Sequence, residues 1–153
     1  MSNGELALTN VRVRRGSAVI LSKVTARFEG GQIAAVIGAN GTGKSTLLRA
    51  FARQLNHEGE ITWSGRSVSA QTTAFMPQTA EVHSQLTALD AVLLGRFDQL
   101  GWRVSRDEVA AALEVLSTLG LSNLANRQLS TLSGGQRQLV LLAQQLMRRP
   151  ELL

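Results

Sequence analysis

The run Gly38-Ala39-Asn40-Gly41-Thr42-Gly43-Lys44-Ser45 gathers the residue types that hold a polyphosphate. Glycines at 38, 41 and 43 let the backbone curl with its amides inward. A helix beginning at Lys44 adds its own unpaired N–H groups, so loop and helix end together form an anion cradle. Lys44 brings a mobile positive charge to the β- and γ-phosphates of a nucleotide. The Ser45 hydroxyl is an oxygen donor suited to Mg²⁺, and Thr46 can donate to an α-phosphate oxygen. A plain strand-to-helix turn needs no glycine, lysine and hydroxyl at these spacings. A second set lies at Ser133-Gly134-Gly135-Gln136. A serine and two glycines at a helix start present a hydroxyl and bare amides, which makes a second phosphate-binding end. The same four residues are also a capping box, and the two uses are compatible.

These residues need elements to hold them. Leu6, Leu8, Val11 and Val13 fall near alternating positions and predict a first strand, with a second around Val24–Phe28. Glu29–Gln32 reads as a turn. Ile33–Ile37 is short, apolar and β-branched, as expected of a strand buried on both faces, and it delivers the chain to Gly38. A helix is expected from Lys44 to about Leu55, then short strands at Gly59–Trp63 and Ala74–Met76. The second half is helical. Thr87–Asp90 resembles a helix start, with Leu89, Val92 and Leu93 on one face. Ser105–Glu108 is a capping box opening a helix whose apolar side carries Val109, Ala112, Leu113, Leu116 and Leu119, stopped by Gly120. Ser133 opens the last helix, with Leu139, Leu142, Ala143 and Leu146 as its apolar face and Pro150 as its end. Leu152 and Leu153 read as the first residues of a further buried strand, which makes the chain a fragment. The expected class is α/β: a phosphate-loop core with an antiparallel β subdomain and a helical subdomain, the C-terminal part of the core missing.

Bulk properties narrow the classes. The 153 residues are 44% hydrophobic and 18% charged, an ordinary globular balance. No apolar run is long enough to span a membrane, and the N-terminus lacks the pattern of a secretion signal. With no cysteine, disulfides and thiolate metal sites are excluded. The net charge of +5 comes from scattered arginines with 4% aromatics, so there is no basic stripe or stacking platform for nucleic acid. His57 and His83 have no metal-ligand partners at useful spacing.

Leu132-Ser133-Gly134-Gly135-Gln136, continuing Arg137-Gln138, resembles the LSGGQ signature of the ATPase subunits of ABC transporters. The order of the phosphate loop, Phe75-Met76-Pro77-Gln78, a helical insert and the signature is similar to that family's over essentially the whole chain. The resemblance implies one ATP-binding domain: residues 1–86 as β subdomain and phosphate-loop core, 87–133 as helical subdomain, and 134–153 as the signature helix returning to the core. It implies ATP and Mg²⁺ as cofactors. Nucleotide contacts would come from Gly38, Asn40, Gly41, Gly43, Lys44, Ser45, Thr46 and Gln78, with Ser45 and Gln78 on the Mg²⁺. Leu132–Gln136 would close over ATP held by a second subunit in a head-to-tail dimer. The other implied partners are integral membrane permease subunits, reached through 87–119, and indirectly a substrate-binding protein. The implied place is the cytoplasmic face of the membrane. Ala80–Arg96 and Leu132–Pro150 resemble importers of iron chelates, haem or cobalamin, followed by manganese and zinc importers.

Two departures stand out. The family's adenine-stacking aromatic is matched here by Arg15, whose guanidinium can stack on a base or simply be a solvated charge. The family's Mg²⁺-organising aspartate, catalytic glutamate and γ-phosphate histidine would all lie beyond Leu153. The fragment alone is therefore expected to bind nucleotide and to hydrolyse it negligibly. A soluble non-transport ABC ATPase and an inactive truncated product remain the alternatives. A phosphate-loop kinase or GTPase would leave Ser133–Gln136 unexplained.

Overall fold

The computed structural model describes residues 4–77, 85–96 and 104–153. The chain forms two compact units, Met1–Phe75 and Met76–Leu153. The sequence-based boundaries at 86/87 and 133/134 thus compare with a division at Phe75/Met76.

The first unit is built on an antiparallel hairpin, β1 (Glu5–Arg15) and β2 (Ala18–Glu29). It is extended by β3 (Glu58–Trp63) and the two-residue β4 (Arg66–Ser67), in the order β2-β1-β3-β4. Leu8, Val11, Val13, Leu21 and Ile61 form the buried side of this sheet. Register shifts between Leu8 and Val11 and between Thr9 and Arg12 interrupt both pairings of β1. Such bulges bend a strand and increase its twist. Helix α1 (Lys44–Phe51) is shorter than its expected extent to Leu55 and buries only Ala50 fully.

The second unit is a helical core. Its elements are α2 (Ala88–Leu93), α3 (Arg106–Thr118) and α4 (Gly134–Met147). Short 3₁₀ turns lie at Leu94–Arg96, Ser122–Leu124 and Leu129–Thr131. Val92, Leu116, Leu129 and Val140 are its largest fully buried side chains, and α4 shares this core with α2 and α3. No helix among the described residues is long and apolar enough to cross a membrane.

Several expectations are corrected. Ile33–Ile37 is not a strand buried on both faces. It lies outside any ladder, with Ile33 102% and Ile37 90% exposed. A buried strand needs neighbours on its edges, and among the described residues none pairs with it. Ala74–Met76 is likewise no strand, and Met76 is exposed. Leu152 makes a single β-bridge and is half-buried, while Leu153 is exposed, so the pair forms no buried strand. On α3 the buried side is Ala112 and Leu116, backed by Ala111 and Val115, while Leu113 faces out. On α4 it is Val140, Ala143 and Met147, and Leu139 faces out.

Candidate nucleotide-binding site

The phosphate loop belongs to the first unit. It is curled, not extended: Gly41 has φ +82° and Gly43 has φ +94°, a backbone region that L side chains rarely adopt. Gly43 is also the residue that turns the chain into α1, and a Cβ there would lie 2.7 Å from Leu21 Cδ2 on β2. No side chain caps α1, and its first turn holds no acidic residue. Its leading amides and the positive end of its dipole are therefore unopposed by any side chain.

Lys44 closes the loop on itself. Its Nζ donates to the carbonyls of Gly38 at 2.8 Å and Ala39 at 2.7 Å. The Thr42 hydroxyl donates to the Ala39 carbonyl at 2.9 Å. Both Ala39 as anchor and Thr42 as brace fall at the variable positions of the motif, so residue type alone gave no sign of them. Gly38 to Thr42 are exposed, as is Ser45, while Thr46 is half-buried. An ammonium pinned over a ring of backbone at a helix N-terminus can hold a polyphosphate by charge and by amide hydrogen bonds together. Ser45 places a hydroxyl oxygen in the first turn, the hard donor that Mg²⁺ selects. The structure brings Gly38, Asn40, Gly41, Gly43, Lys44, Ser45 and Thr46 into one loop and helix start. Gln78, expected on the Mg²⁺, lies outside the described residues, as does His83. Arg15 is exposed at the end of β1, beside the Gly16–Ser17 turn. His57 lies near Arg53 and the Leu55 carbonyl.

The second motif belongs to the second unit. The start of α2 is tied to the 125–129 segment: the amides of Ala88 and Leu89 donate to the carbonyls of Arg127 and Ala125, and the Leu129 amide donates to Leu86. From there the chain runs through Leu129–Thr131 to Leu132, which is buried. The Ser133 Oγ then accepts from the Gln136 amide at 3.2 Å, and the Ser133 amide donates to Gln136 Oε1 at 3.1 Å, completing the box. The hydroxyl proton of Ser133 is not used by this box. Ser133, Gly134 and Gly135 are exposed. A Cβ at either glycine would meet nothing within 4 Å, and neither has positive φ.

A curled glycine loop closed by Lys44 and an open Ser-Gly-Gly helix start are the pair of ends that the sequence analysis attached to one family. The sequence pattern of that family, described as "ABC transporter", matches residues 21–153. The chain belongs to the ABC transporter ATP-binding family. It is 39% identical over 140 residues to a probable metal transport system ATP-binding protein of Chlamydia trachomatis, covering 87% of this chain and 54% of that protein. It is 36% identical to the hemin import ATP-binding protein HmuV of Pseudomonas fluorescens, over 88% of this chain and 55% of that one. It is 39% identical to the zinc import ATP-binding protein ZnuC of Pseudomonas aeruginosa, over 100% of this chain and 53% of that one. Among solved structures, a nucleotide-free ATP-binding cassette from an ABC transporter matches with a TM-score of 0.85 at 25% identity, over 96% of this chain and 66% of that chain. The ABC chain thus spans about half the length of the curated relatives it matches.

Proposed function

We propose that this chain is the nucleotide-binding part of an ATPase subunit that drives import across a membrane. The observation that carries this is the Gly38–Ser45 loop, curled and closed by Lys44 at an uncapped helix start. ATP would lie with its phosphates in that loop. Mg²⁺, held by Ser45 and the phosphates, would offset charge on the terminal phosphate. The open Ser133–Gly135 end would meet ATP held by a second copy, donating the Ser133 hydroxyl and two helix amides. Glycines that this chain's own packing does not require support that reading, because they leave room for a close approach from outside. Closure of two copies around ATP, and reopening on hydrolysis by the full-length protein, would move permease subunits at the cytoplasmic face.

For the cargo, the relatives' names favour a metal ion or haem over an unrelated solute. Uptake of radiolabelled zinc and of haem by cells with and without the intact gene separates these, and loss of neither rejects both.

The decisive binding test is Lys44→Ala in the full-length protein. It removes the ammonium and both of its loop hydrogen bonds. Charge-assisted bonds contribute about 1.5–3 kcal/mol each, so ATP affinity by calorimetry should fall at least tenfold. Unchanged affinity would rule out the phosphate loop as the nucleotide site.

A further inference from the structure

One peptide unit in the second motif is gripped at both ends. The amide of Ser133 donates to Gln136, as described, and the carbonyl on the other side of the same peptide, Leu132 O, accepts from Arg137 Nη2 at 3.2 Å. Leu132 is fixed in two further ways: its side chain is buried and its amide donates to Leu129 at 3.2 Å. A peptide plane held at oxygen and nitrogen by side chains of adjacent helix residues cannot rotate, and the Ser133 Cα that follows it takes a set direction. The grip comes with an unfavourable feature. Arg137 Nε is buried and has no hydrogen-bond partner among the described residues. A buried N–H left unpaired opposes folding. Stability alone would be served as well by an apolar side chain of similar length.

The geometry points to Arg137 as a positioning residue: by holding the Leu132 carbonyl it aims the Ser133 hydroxyl and the Gly134 and Gly135 amides outward at the nucleotide of a second copy. This rests on the reading of Ser133–Gly135 given above. Arg137 need not touch ATP. It would act through the Leu132–Ser133 peptide, and its loss would let that peptide rock so that the hydroxyl and amides no longer converge.

The test uses the full-length protein and three variants. Arg137→Met keeps the stem and removes every donor. Arg137→Lys keeps one mobile donor that can still serve the carbonyl. Ser133→Ala probes the underlying reading. ATP binding to the monomer is measured by calorimetry, ATP-dependent pairing by sedimentation, turnover by phosphate release, and folding by thermal melting. Arg137→Met should lower pairing and kcat about tenfold, within the range that misplacing a positioning group costs. Monomer ATP affinity and the melting temperature should be unchanged or, for melting, raised. Arg137→Lys should recover most of the loss. Pairing and kcat within twofold of the original in Arg137→Met would overturn the assignment. So would a melting temperature that drops together with ATP affinity, or a lysine variant no better than methionine. If Ser133→Ala pairs normally, the signature reading itself fails; if Ser133→Ala is impaired and Arg137→Met is not, only the positioning role fails.

Discussion

Glycine stands at the start of both α1 and α4, as Gly43 just before the first and Gly134 as the opening residue of the second, and the reasons differ. At α1 the glycine is demanded from within: Gly43 sits at φ +94°, and a Cβ would press against Leu21 and the Ile20 carbonyl. At α4 nothing within this chain demands one. Gly134 and Gly135 have ordinary helical backbone and open space around them, and Ser133 already caps the helix. Glycine inside a helix is destabilising by roughly 0.5–1 kcal/mol relative to alanine. A chain that accepts that cost twice, at exposed neighbouring positions, is shaped for something outside its own fold. The phosphate loop is pre-formed by its own packing, whereas the glycines of the signature end are unused by that packing, which fits the proposed approach of a second copy.

The comparison can be broken by two alanines. Gly43→Ala should do the most damage. Strained left-handed backbone costs about 1–3 kcal/mol, and the contact with Leu21 adds to it. Both the melting temperature and ATP affinity should fall, and a variant with wild-type melting would show that the loop is not held as described. Gly134→Ala should leave melting unchanged or raise it by the equivalent of up to about 1 kcal/mol. It should nonetheless weaken ATP-dependent pairing, because the new methyl group stands where a phosphate must approach the amide. Pairing that survives Gly134→Ala would place the partner elsewhere and remove the external reason for these glycines.

How much of this could be read from the sequence follows the same line between local and external causes. The helix start at Thr87 and the capping boxes at Ser105 and Ser133 were legible because each is a contact between residues three apart. The phosphate loop was legible for the same reason, since its glycines and Lys44 interact within eight residues. The buried face of α4 was read one position off except at Ala143, whereas that of α3 was read correctly at Ala112 and Leu116 and wrongly widened to Leu113. Residues 139–142 are all apolar, as are 109–113, so helical period alone could not choose between Leu139 and Val140, or exclude Leu113 beside Ala112. Ile33–Ile37 failed for a different reason. β-Branched residues favour a strand, but a ladder needs partner strands, and propensity supplies none. Arg137 was within sight as the residue after the signature, yet its bond to Leu132 crosses the helix start and has no marker in residue type.

A smaller effect sharpens the comparison between the capping boxes themselves. The box on α3 is closed by a carboxylate, with Glu108 Oε2 accepting from the Ser105 amide at 2.6 Å, whereas that on α4 is closed by the neutral Gln136. The backbone N–H of Ser105, then its side chain, hold the Glu108 carboxyl below the usual glutamate range, with a further pull from Arg96. A depressed value in the folded state means that the ionised form contributes stability above the unfolded glutamate value of about 4.3, and that this contribution fades as pH falls from there to the folded value. Glu108→Gln gives α3 the same neutral closure as α4. The difference in melting temperature between parent and variant should be constant from pH 7 to about 5 and shrink or reverse below it. A difference that stays flat down to pH 3 would mean that the Glu108 carboxyl titrates alike in the folded and unfolded chain, so that its ionised form gains nothing from the box and the two helix starts are closed by equivalent hydrogen bonds.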